Sequence, residues 1–120
     1  MNDPAARAQF EKRQERIFAA LLRAACGSAP FHWRVATLRV EAAPGPTPGS
    51  RALRHELLNP ETGESVSSFP ETLFHATAEY HDLFGAHQQG WKRCIVEIQF
   101  DELGRVRQAT ANFEYASPTG

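Results

Sequence analysis

PETLFHATAEYHDLFGAHQQGWKRCIVEIQFDELGRVRQATANFEY, residues 70–115, passes from a period of 3.6 to a period of two, and that change decides the fold. Ser68 as N-cap, Pro70 in the first turn and Glu71 at the positive end of the dipole open a helix. Leu73, Ala76, Tyr80, Leu83, Phe84 and His87 then recur at helical spacing, with Gly85 and Gly90 at the expected end. Beyond Trp91, Cys94, Val96, Ile98 and Phe100 face one way and Arg93, Glu97 and Gln99 the other. That alternation predicts a half-buried strand.

A tight connection at Asp101-Glu102-Leu103-Gly104 folds a second strand back onto the first. Antiparallel pairing adds Ala109, Ala111, Phe113 and Tyr115 to the apolar face. The opposite face takes Arg93, Glu97, Gln99, Gln108, Thr110, Asn112 and Glu114, together with Trp91, Ile95 and Val106. One face is expected to pack and the other to meet water or a partner.

Asp82-Leu83-Phe84, the Gly90-Trp91 pair, the alternating strand, the acidic turn closed by Gly104 and the ending Phe113-Glu114-Tyr115 resemble the C-terminal half of the YezG-like immunity proteins. The resemblance covers about the last third of the chain. It implies a small bacterial protein that binds and neutralises a cognate secreted or polymorphic toxin, often a nuclease.

Upstream, a helix is expected from Asp3 to Gly27, with Ala6, Phe10, Ile17, Leu21 and Ala24 on a stripe widened by Phe18, Leu22 and Ala25. Its other face, with Arg7, Glu11, Lys12, Glu15 and Arg16, reads as solvated. Pro30 blocks a helix, and Phe31 to Ala42 reads as a strand with Arg34, Ala36, Leu38 and Val40 on one side. Residues 43–50, Ala-Pro-Gly-Pro-Thr-Pro-Gly-Ser, read as an exposed loop between two strands of one domain. Arg51 to Leu58 is the next strand, Asn59 to Gly63 a turn, and Glu64 to Ser68 a short strand. The order helix, three strands, helix, two strands predicts a single α+β domain, its antiparallel sheet of about five strands covered by two main helices on one face.

With 120 residues there is room for one modest core. Hydrophobic content of 42% and charged content of 22% are those of an ordinary globular protein. A net charge of -1 argues against direct binding of nucleic acid by counterion release. No apolar run approaches the roughly 20 residues of a membrane helix, and no charged start precedes an apolar stretch, so a cytoplasmic protein without membrane contact is expected. Cys26 and Cys94 read as reduced, buried thiols.

Catalytic patterns are not found in the chain. His75, His81 and His87 recur every six residues, but six helical steps turn about 600°, which leaves successive rings roughly 120° apart. No His-Glu-x-x-His, Cys-x-x-Cys, Gly-x-Ser-x-Gly or glycine-rich phosphate loop occurs, so neither metal nor cofactor is expected and the chain reads as a non-enzyme. His81 and Asp82, adjacent on a helix, point about 100° apart.

Three functional classes remain. The first, which the resemblance implies, is a monomer or weak homodimer that occludes a toxin domain. Glu97, Asp101, Glu102 and Glu114 would supply acid and Trp91 an aromatic anchor. The second is a small-molecule-binding domain with Trp33, Trp91, Phe113 and Tyr115 around a pocket. The third is an enzyme in which His32, His55 and a histidine of the second helix converge.

Overall fold

A computed structural model of the chain describes residues 4–47, 51–87 and 91–115. Helix α1 (Pro4–Ser28) is followed by strands β1 (Val35–Pro44), β2 (Arg51–Leu58) and β3 (Ser65–Val66), helix α2 (Glu71–His87), and strands β4 (Trp91–Phe100) and β5 (Val106–Tyr115). All strand pairs are antiparallel, in the order β3-β2-β1-β4-β5. The expected element order and the single α+β domain are what the chain forms.

Pairing registers put the even residues of β1 and β4 on one face. Leu38 lies opposite both Leu57 and Val96, and Val40 opposite His55 and Cys94. Leu38, Val40, Leu57, Cys94 and Val96 join Ile17, Leu21 and Ala25 of α1 and Leu73, Tyr80 and Phe84 of α2 in one cluster. Burying an aliphatic side chain of this size is worth about 1.5–3 kcal/mol, so the shared core supplies the main reason the helices stay on the sheet. Tyr80 is its aromatic hub, edge-on to Phe84 at 5.4 Å and to Phe113 at 5.6 Å, with Phe18 tilted at 6.1 Å. Its hydroxyl accepts a hydrogen bond from Gln14 Nε2 at 3.4 Å, which lets a phenol sit 2% exposed.

Several boundaries differ from those expected. Helix α1 passes through Gly27 to Ser28, whose hydroxyl donates to Ala24 O at 3.0 Å. Helix α2 begins at Glu71, and Pro70 O accepts from Leu73 N, so the cap sits at Pro70 and not at Ser68. Gly85 lies within α2; Gly90 and Pro48 to Ser50 of the expected loop lie outside the described residues. Strand β1 begins at Val35 and extends to Pro44, because Ala42 to Pro44 still pair with β2. Strand β3 shortens to Ser65–Val66.

Turns close where the sequence places them. Between β2 and β3, Gly63 adopts φ +79° and donates to Asn59 O at 2.8 Å, while Asn59 Oδ1 accepts from Glu61 N. Glu64 then accepts from His32 Nε2 at 3.1 Å and Trp33 Nε1 at 3.4 Å, tying this turn to the entry of β1. The His32 hydrogen bond is the main cause that holds the Glu64 carboxyl below its ordinary pKa. Cys26 and Cys94 are both free thiols; burial pushes Cys94 up to about 12, which keeps it an unreactive core group. Among the described residues, no helix is long and apolar enough to cross a membrane.

Candidate functional site

With both helices on one side, the other face of the sheet lies open. Thr37, Arg39 and Glu41 of β1, Arg54 and Glu56 of β2, Arg93, Ile95, Glu97 and Gln99 of β4, and Gln108, Thr110, Asn112 and Glu114 of β5 point to it by register. Charges of both signs interlock across strands. Arg93 sits 2.8 Å from Glu114 Oε2 and 3.5 Å from Glu41 Oε1, and Arg39 lies 3.5 Å from Glu56. Exposed pairs of this kind stabilise by about 0–1 kcal/mol each, so their effect is to fix a charge pattern more than to hold the fold. The signal was present in the sequence as alternating charges in β1 and β2, but only the register shows that they join the hairpin into one surface.

The five expected site residues do not gather. Glu114 stands near the open end of the hairpin and is neutralised by Arg93. Asp101 and Glu102 stand at the turn, separated from Glu114 by about 30 Å of strand. Asp101 is occupied by its own turn: Oδ1 accepts from Leu103 N and Arg105 N, and Oδ2 from Arg105 Nε, all at 2.9 Å. The bond from the Arg105 backbone is the largest cause of its lowered pKa. Glu102 is exposed at the tip. Glu97 carries no ion pair among the described residues and borders a depression of about 320 Å³ with Thr37, Gln99, Gln108, Thr110 and Pro60.

Trp91 is not on the open face. Lys92 is an extra residue in β4, since Trp91 pairs with Tyr115 and Arg93 with Glu114, and this bulge turns the indole to the helix side. At 1% exposure it packs edge-on to His81 at 4.8 Å, so it closes α2 against the sheet and offers no projecting anchor. Val106 is displaced in the same way at the other end, where Arg107 is the extra residue. Ile95 is then the one apolar side chain of the hairpin's open face.

Beside Trp91 a cleft of about 560 Å³ opens where β1 outruns its pairing with β4, bounded by Ala42, Pro44, Arg51, His81, Trp91 and Arg93. Its arginines are engaged, Arg51 Nη2 reaching Asp82 Oδ1 at 2.9 Å and Ala78 O at 3.2 Å and Arg93 pairing with Glu41 and Glu114, while Lys92 lines the cleft from an exposed position. His81 Nε2 donates to Trp91 O at 3.0 Å, and burial followed by the Arg51 charge lowers its pKa. The imidazole is thus committed to the strand backbone and both arginines to carboxylates.

The aromatic pocket of the second class does not form. Trp33 and Trp91 are each 1% exposed and sit at opposite ends of the sheet, beside the Phe100 and Arg93 ends of β4. The histidines of the third class do not converge either. His32 binds Glu64, His55 binds Thr77 and His81 binds Trp91 O. Among the described residues no group of three or more His, Cys, Asp or Glu side chains could hold a metal ion. No known family model matches the chain, and no curated protein matches it.

Proposed function

We propose that this chain is an immunity protein that neutralises a cognate toxin domain, a nuclease or other nucleic-acid-acting effector, by stoichiometric occlusion through the open face of its sheet. The observation that carries this reading is the uncovered face itself, on which ion pairs across four strands hold a mixed-charge pattern on a rigid support. A preformed surface loses little entropy on docking, and complementary charge accelerates encounter and rejects wrong partners. The resemblance of residues 70–115 to the YezG-like proteins supports the same reading. Glu97 on the face and Glu102 at the tip are the acids free to meet a phosphate-binding cleft, with Glu114 presented through Arg93.

The test is to read whether the neighbouring frame encodes a protein with a toxin-like C-terminal domain, whose absence would count against the reading, and to titrate that purified domain with the purified chain. Inhibition should end at one equivalent, with a 1:1 complex on a sizing column. Absence of a complex, or inhibition far below one equivalent, would overturn the reading. Glu97→Lys and Glu102→Lys should slow association and alter its salt dependence without unfolding the chain. Unchanged kinetics in both, with loss of binding from the charged face of α1 instead, would move the site.

A further inference from the structure

Among the described residues the sheet order leaves β5 at one edge, paired with β4 on one side only. Edge strands are ordinarily blunted by charge, proline or shortness. Strand β5 has ten residues, no proline, and no charge from Gln108 to Phe113. Its irregularities lie at the two ends, at Arg107 and opposite Lys92, so the middle is a regularly paired template.

The hydrogen-bond parity of this edge follows from one contact. Phe100 N donates to Arg34 O at 2.8 Å, so the even residues of β4 direct their backbone groups to β1. The odd residues, Glu97 and Ile95 among them, therefore bond to β5, at Thr110 and Asn112. Within β5 the even residues are spent on β4. Ala109, Ala111 and Phe113 turn their N–H and C=O groups outward.

We propose that this outward row pairs antiparallel with β5 of a second copy of the chain, about a two-fold axis at Ala111. In that register Ala109 faces Phe113 of the second copy on the helix side, small against large, and Ala111 faces its own copy. On the open side Thr110 faces Asn112 and Gln108 faces Glu114, while Arg107 faces Tyr115; no like charges oppose. Closely spaced pairs at 109·113, 111·111 and 113·109 supply about six backbone hydrogen bonds. The register centred on Thr110 forms fewer such pairs and sets Val106 against Glu114. A two-fold, isologous contact closes at the dimer, giving one continuous ten-stranded sheet. The contact runs along the sheet edge and leaves the open face uncovered, so it stands or falls independently of the toxin-binding reading.

Sedimentation of the full chain from about 1 µM to about 1 mM should show the mass rise from 13.4 kDa toward twice that value. Amides of Ala109, Ala111 and Phe113 should gain exchange protection over the same range. Ala111→Pro removes an outward N–H without touching the β4 ladder and should leave a folded monomer throughout. Thr110→Lys, exposed on the open face, keeps the backbone intact and sets two added charges about 7–8 Å apart across the axis, partly offset by Glu97 opposite each, so the dissociation constant should rise about two- to fivefold. A wild-type chain that stays at monomer mass, or folded variants that dimerise unchanged, would overturn the proposal.

Discussion

His55 Nε2 lies 2.8 Å from Thr77 Oγ1, and the direction of that bond is dictated by the helix. The Thr77 hydroxyl, with one proton, donates back to Leu73 O at 3.0 Å or Phe74 O at 3.2 Å. His55 must then be the donor to Thr77 Oγ1, which leaves Nδ1 bare and unpartnered among Phe69 and Phe74. The ring is a neutral clasp between β2 and α2.

Burial lowers the His55 pKa from 6.5 to about 4. The unfolded chain thus takes up this proton near pH 6.5 and the native chain only near pH 4, so stability is complete above about 6.5 and falls as pH drops to about 4. After allowance for solvent screening at a half-buried ring, the loss is roughly 1–2 kcal/mol. An NMR titration should place the ring's midpoint near 4. In His55→Gln, which keeps a donor for Thr77, the slope of stability over this window should shrink; His81 and, toward its acid end, Glu64, both also lowered, contribute to what remains.

Thr77→Val preserves shape and removes the acceptor of the His55 N–H. A buried donor left without a partner costs about 1–3 kcal/mol, so the urea midpoint should fall by that equivalent. Thr77→Ser should recover most of it. A valine variant as stable as the wild type would contradict the assigned direction of the bond.

At the β4–β5 turn, Gly104 adopts φ +79° and a methyl group there would come within 3.3 Å of the exposed Phe31 ring. Gly104→Ala should cost about 1–2 kcal/mol through backbone strain, since the ring can swing aside. Asp101→Lys should lower the melting temperature because the carboxylate receives Leu103 N and Arg105 N, whereas Glu102→Lys should leave it unchanged. Equal effects of the two reversals would show that Asp101 does not lock the turn.

Trp91→Phe should cost less than Trp91→Ala, because the smaller ring still fills most of the site and, among the described residues, the indole N–H has no hydrogen-bond partner to lose. Trp91→Ala should cost about 3–5 kcal/mol by opening a cavity against His81 and Phe113. Since the ring is buried, Trp91→Phe should not alter the dissociation constant for a protein partner. Calorimetric unfolding and a binding titration on the same samples separate the two effects.

What the sequence determined by itself was whatever depends on local period and turn chemistry. The helical recurrence of Leu73, Ala76, Tyr80, Leu83 and Phe84, the alternation from Cys94 to Phe100, the strand Arg51 to Leu58 and the two glycine-closed turns all stand where the residues placed them. Each is set by interactions a few residues long. Tertiary structure alone decided the faces of Trp91 and Val106, because a bulge is a mismatch between two strands and is written in neither. It also decided that Glu114 is held by Arg93 and that charges from four strands share one surface. Those outcomes rest on pairing register, and register is settled by the core that β1, β2 and β4 bury together.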